Sequence, residues 1–208
     1  MKRFVLATAG LAVAGLLATA CGGQDAAAGH DAPAMPSMSS SPTGSAPSSP
    51  TGTSAGHNDQ DAMFATMMIP HHRQAVEMAE PAAKRASSAE VKRLAEQIMA
   101  AQEPEIKTMS GWLSRWGLQV PKGDMPSMHH GMEGMMSDDD MKNLEGLSGR
   151  AFDKAFLEMM IKHHEGAVTM AEQERSAGAY APAKEMADAI VAGQTSEITR
   201  MKQLLRAG

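Results

Sequence analysis

The sequence predicts an all-α protein, a four-helix bundle assembled from two duplicated helical hairpins. Three observations carry that prediction. Residues 61–113 and 153–205 are one pattern written twice, 92 positions apart without a gap. Within each copy the apolar residues recur at helical spacing, and the strict alternation of a half-buried strand is missing. The connections inside each copy are short and the one between the copies is long, which is the layout of two antiparallel hairpins joined by a crossover.

The first copy reads Phe64-x2-Met67-Met68-Ile69-x-His71-His72-x2-Ala75-Val76-x-Met78-Ala79-Glu80, and it returns as Phe156-x2-Met159-Met160-Ile161-x-His163-His164-x2-Ala167-Val168-x-Met170-Ala171-Glu172. On a helical wheel Met67, Met68, His71, Ala75, Met78 and Ala79 share one arc, with Thr66, Arg73, Glu77 and Glu80 opposite. Glu158, Lys162, Glu165 and Thr169 form the wet face of the second copy. Asp61 and Asp153 fall near the predicted helix starts, where a carboxylate offsets the helix dipole.

A second helix follows in each copy. Ser87-x-x-Glu90 has the form of a capping box, and Val91, Leu94, Ile98, Ile106, Met109 and Leu113 continue with helical spacing. Its counterpart begins at Pro182, tolerated in a first turn, and carries Met186, Ile190, Ile198, Met201 and Leu205. Pro70 and Pro104 sit inside predicted helices of the first copy only, where each removes a backbone donor. The expected division is repeat 1 over 61–116, a Met/His-rich crossover over 117–150 and repeat 2 over 151–208, together a bundle over 59–208.

The chain opens with Lys2-Arg3, an uncharged run from Phe4 to Ala20, and Cys21-Gly22-Gly23, which is the layout of an export signal. Ala18-Thr19-Ala20 before the one cysteine reads as a lipobox, so 1–20 is expected to be a lipoprotein signal peptide and Cys21 the lipidated residue. An uncleaved membrane anchor is the alternative, but the 17 residues of the run fall short of the roughly 20 that a span needs. Residues 21–58 are Ser, Pro, Gly, Thr and Ala with few large apolar side chains, too few to bury, and are expected to form a disordered tether. The bulk of the protein is then extracytoplasmic, anchored to the outer side of the cell membrane.

A net charge of −5 and only seven aromatic residues argue against nucleic acid as a partner. No nucleophile elbow, phosphate loop or hydrolase triad is present, which excludes the common hydrolase designs. Methionine is the anomaly, with 20 residues.

Chemistry enters where polar residues occupy apolar faces. His71, His72, His163 and His164 project toward the predicted core, and Gln102, Glu105, Gln194 and Glu197 do so on the second helices. A buried imidazole or carboxylate without a partner costs on the order of 1–3 kcal/mol, so these groups must meet one another or a metal. One reading is a metal centre with His nitrogen, Glu105 and Glu197 carboxylate, and Met78 and Met170 thioether as ligands. The other is a metal-free Glu-His-Gln network that sets helix register. Met78 and Met170 also fit simple core filling. The adjacent histidines depart from the Glu-x-x-His spacing of di-iron bundles.

The crossover carries Met125, Met128, His129, His130, Met132, Met135 and Met136 within twelve residues. With Gly, Pro and Ser interspersed and no apolar face, it is not expected to be a core element. Thioether and imidazole are soft to intermediate donors that favour Cu(I), and Ag(I) or Cu(II) as alternatives, over Zn(II), Mg(II) or Ca(II). Thioethers form no disulfides, which suits an oxidising compartment. A solvated low-complexity linker is the bland alternative. His30, Met35, Met38 and His57 are too diffusely spaced to form a site.

The blocks Met67-Met68-Ile69-Pro70-His71-His72-x2-Ala75-Val76-x-Met78-Ala79 and Gln102-x2-Glu105-Ile106-x2-Met109-x2-Trp112-Leu113 resemble the signature of the family called domain of unknown function 305. The resemblance covers residues 59–208, and both blocks have counterparts in the second copy. It implies a ferritin-like helical architecture and an exported bacterial protein, and some members are described as periplasmic copper-binding proteins involved in copper tolerance. Lys162 stands in the second copy where the first has Pro70.

The expected function is therefore an exported, lipid-anchored Cu(I)-binding protein serving copper sequestration, tolerance or transfer, with no catalysis required. The alternatives are a metal-dependent redox enzyme in a ferritin-like bundle and a metal-free scaffold or interaction module. The partners that go with the preferred reading are the metal ion, the membrane through Cys21, a copper-handling protein and a second copy of the chain.

Overall fold

Three of the helices begin at a local side-chain cap. In the computed structural model, which describes residues 56–123 and 132–207, α1 runs over Asp59–Ala79 behind Asn58, whose side chain accepts from the Asp61 amide while Asp61 accepts from the Asn58 amide. Helix α2 is a single turn, Ala82–Arg85, and α3 spans Ala89–Arg115. Helix α4, Asp138–Gly146, starts at a capping box of Ser137 and Asp140. Helices α5, Gly149–Ala177, and α6, Ala181–Ala207, complete the chain. The described residues contain no strand, only an isolated bridge between Ala86 and Gly149. The four long helices are those read from the sequence. Helix α1 packs on α3, α5 on α6, and the two hairpins meet chiefly along α1 and α5.

Three details differ from the sequence reading. Ser88, not Ser87, caps α3: its hydroxyl accepts from the Val91 amide, and Ser87 turns away. Asp153 lies within α5 and does not cap its own helix. It accepts from the Ser87 amide at 3.0 Å and the Ser88 amide at 2.9 Å, holding the start of α3. At the matched position Asp61 accepts from the Ala179 and Tyr180 amides at 3.0 and 2.9 Å, holding the start of α6. Each hairpin's first helix thus caps the second helix of the other hairpin, a long-range relation that helix spacing does not encode.

The third correction concerns the crossover. Met132, Met135 and Met136 are buried, although this segment was expected to stay outside the core. Two close approaches make room for it. Gly134 has φ +85°, and a Cβ there would lie 3.0 Å from the Gly166 Cα; a Cβ on Gly166 would overlap the Glu133 carbonyl. Residues 132–136 form a strap lying against α5. The expected signal peptide, Cys21, most of the tether, and Met125, Met128, His129 and His130 lie outside the described residues. Among the described residues no helix is long and apolar enough to cross a membrane.

The core comes in two parts. One joins Ala75, Met78 and Ala79 of α1, Val91 to Ile98 of α3, Phe152 to Met160 of α5, and Ile198 and Met201 of α6. The other joins Phe64 to Ile69, Met109 to Leu113, Ala167 and Ala171, and Ala183 to Ile190 of the same four helices. Between them, on all four helices, lie the polar positions His71, His72, Gln102, His163, His164 and Gln194, every one buried.

Candidate metal centre

This buried polar layer is the candidate site. Its outer parts are two matched pairs: His72 Nε2 lies 2.7 Å from a Glu105 oxygen, and His164 Nε2 lies 2.7 Å from a Glu197 oxygen. In both pairs the histidine is fully covered while the glutamate keeps a little solvent access, 23 % of its side chain. Each glutamate sits between four and five turns into the second helix of its own hairpin, where the 92-residue offset puts it twice.

His71 and His163 come together across the α1–α5 seam, their ring centroids 3.8 Å apart and tilted by 41°. His71 Nε2 lies 3.3 Å from the Glu133 carbonyl of the strap, so that nitrogen carries the hydrogen and donates. Its Nδ1 is left as a buried lone pair with no partner. Neither nitrogen of His163 makes a hydrogen bond of good geometry. Burial, then the proximity of His72, pushes His71 down to about 3, against the pull of the Glu133 carbonyl. Burial and then His71 hold His163 well below the usual imidazole range, the His71 carbonyl opposing weakly. Both rings are neutral at neutral pH, the state in which imidazole binds metal.

Met78 is fully buried in the first core part and Met170 is half-buried beside the second, both in packing positions. Met136 packs against the first core part. The structure therefore brings His71 and His163 together, pairs His72 with Glu105 and His164 with Glu197, and places Met132, Met135 and Met136 under cover.

Among the described residues, no three or more His, Cys, Asp and Glu side chains converge to hold a metal. Both carboxylates of the layer are already engaged, so the donor set does not suit a hard cation needing six or more oxygens. Two neighbouring imidazoles with unpartnered nitrogens suit a soft monovalent ion satisfied by two to four ligands.

Two residues of this region escaped sequence reasoning. Gln74 is buried and closes a two-bond ring on the strap: its Nε2 donates to the Met136 carbonyl at 2.9 Å and its Oε1 accepts from the Met136 amide at 2.8 Å. Gly166 occupies the matched position in the second copy. A mismatch of Gln against Gly between otherwise similar blocks was the available signal.

A protein-family model matches residues 61–205 and describes a domain of unknown function, DUF305. The chain belongs to the DUF305 family. A DUF305 protein from Streptomyces coelicolor described as secreted is 38% identical, with 71% of this chain and 93% of that one covered and a TM-score of 0.65. A DUF305 fragment from Deinococcus radiodurans is 30% identical over 73% of this chain and 98% of that one, TM-score 0.66. CopM in its Cu(II)-bound form is 35% identical over 71% of this chain and 96% of that one, TM-score 0.62. CopM also has structures in Cu(I)-bound and Ag-bound forms. No curated protein sequence matches the chain.

Proposed function

We propose that this DUF305 protein is an exported, lipid-anchored binder of Cu(I) that sequesters the ion or hands it on. The observation that carries the reading is the His71–His163 contact, two neutral imidazoles with lone buried nitrogens beside a methionine-bearing strap. Leaving such groups unpaired costs on the order of 1–3 kcal/mol each, a penalty that a soft ion would offset. Copper-bound and silver-bound forms of a relative at 33–35% identity support the choice of ion. The signal-like start ending at Cys21, together with a relative described as secreted, supports export.

His71, His163 and the methionines of the strap are the proposed core ligands, and Met125, Met128, His129 and His130 the proposed capture ligands. Bound there, the protein would supply a dry, cysteine-free cage that favours Cu(I) over Zn(II). A second reading, a metal-free layer that sets register, is favoured by the two 2.7 Å His–Glu pairs, which satisfy His72 and His164 Nε2 without any ion.

Anaerobic competition between the protein and a chromophoric Cu(I) chelator separates the readings, with Zn(II) run in parallel and Cys21→Ser used to remove the thiol. Tight Cu(I) binding with weak Zn(II) binding is expected. Failure to compete for Cu(I) would leave the register reading.

A further inference from the structure

The strap breaks the symmetry of the polar layer at one place. At matched positions of α1 and α5, Gln74 grips the Met136 backbone through two hydrogen bonds, while Gly166 leaves the space that the Glu133 and Gly134 backbone fills. The strap crosses over the histidine contact between these two anchors. One consequence is that Glu133 presents its carbonyl to His71 and the strap presents none to His163, neither of whose nitrogens makes a hydrogen bond of good geometry. Two histidines at matched positions are thereby made chemically different.

We infer that residues 132–136 act as a positioning clamp, fixing His71 in one tautomer and leaving His163 as the first core nitrogen to accept a soft monovalent cation. This rests on the copper-binding reading and adds to it an order of engagement. The physical basis is direct. Fixing the Nε2 hydrogen of His71 on a carbonyl aims its Nδ1 lone pair in one direction and holds the ring. His163 has no hydrogen bond of good geometry to break before it can turn a lone pair toward an ion. Gln74 and Gly166 act through the strap and are positioning residues. Gly166 is the sharper test, because any side chain there meets backbone of the strap, not a movable side-chain end. No ligand donor is altered by changing either residue.

The test uses the full chain carrying Cys21→Ser, labelled with nitrogen-15, and compares it with Gln74→Leu and Gly166→Ala versions. In the metal-free protein, ring-nitrogen shifts should report His71 as a fixed Nε2–H tautomer, and both variants should lose that fixed state. On titration with Ag(I), a His163 nitrogen should shift before His71 in the parent, and the two should shift together in the variants. Simultaneous shifts in the parent, His71 shifting first, or an unchanged order in both variants would each overturn the inference. Ag(I) uptake with neither histidine responding would also overturn it, while leaving ion binding elsewhere in the chain intact. Absence of any Ag(I) or Cu(I) uptake by metal analysis would instead bring down the copper-binding reading and this inference with it. If Gly166→Ala fails to fold, Gln74→Leu, close in volume and leaving the Gly166 approach to the strap unfilled, decides the matter.

Discussion

Glu174→Gln should make the protein more resistant to mild alkali, and the reason lies in a carboxyl pair at the α5–α6 turn. Glu174 is fully buried, neither oxygen accepts a hydrogen bond of good geometry, and the neighbouring carboxylate is Asp61. Burial, followed by the Asp61 carboxylate, raises Glu174 to about 8, with Gln60 and Lys184 pulling the other way. Burial also pushes Asp61 up, but a hydrogen bond from Glu174 and amides of Asn58, Tyr180 and Ala179 hold it below its usual value. One proton is shared, residing on Glu174. A folded-state value above the unfolded one means stability is fully present below about 4.5 and declines as pH rises through about 8. Moving a carboxyl from 4.5 to about 8 corresponds to an upper bound of about 5 kcal/mol. Ser176 and Ala177 beside it are exposed, so water screens the pair and about 2 kcal/mol is the expected loss. Glutamine keeps a donor to Asp61 and cannot ionise. Urea unfolding should show the variant and parent close at pH 5, and the variant ahead by about 2 kcal/mol, or about 4–8 °C in Tm, at pH 8.5. Depressed His71 and His163 values act oppositely, their stability being lost as pH falls below about 6.5, but they are common to both proteins and cancel in the difference. A difference that does not change with pH would refute the shared proton.

Glu105→Ala and Glu197→Ala should destabilise by similar amounts, about 1–3 kcal/mol each, because each strands a buried histidine nitrogen in a matched 2.7 Å pair; clearly unequal losses in urea unfolding would show that the pairs differ in environment. Asp61→Ala should exceed either, since it releases the amides of Asn58, Ala179 and Tyr180, and hydrogen exchange at the start of α6 should rise selectively. Changing Met125, Met128, Met132, Met135 and Met136 to leucine should preserve the fold, because Met-to-Leu exchange conserves volume and costs under about 1.5 kcal/mol at each buried site. The same variant should lose Cu(I) stoichiometry in the chelator competition, and unchanged stoichiometry would remove the methionines from the site.

Periodicity by itself determined the four long helices, their pairing into hairpins and the polar residues facing inward, since burial on a helix is written at spacing near 3.6. It also showed that whatever contact His72 and Glu105 make, His164 and Glu197 should make too, because both blocks repeat with one offset; the pairing itself came from the fold. Tertiary structure decided the rest. Asp61 and Asp153 read as carboxylates at the starts of their own helices because sequence shows only local neighbours. Asp61 does bond Asn58 there, but it also holds an amide 118 residues away, and Asp153 instead bonds the Ser87 amide, 66 residues away. Met132, Met135 and Met136 read as solvated because Gly and Glu beside them erase any apolar face; what buries them is the close approach of Gly134 to Gly166, a property of two backbones meeting. Glu174 gave no signal at all, its matched position being Ala82, and its proton follows only from the Asp61 carboxylate that the fold brings beside it. Likewise, two histidine pairs that are alike in sequence became unlike in chemistry when one strap, present once between the copies, lay across them.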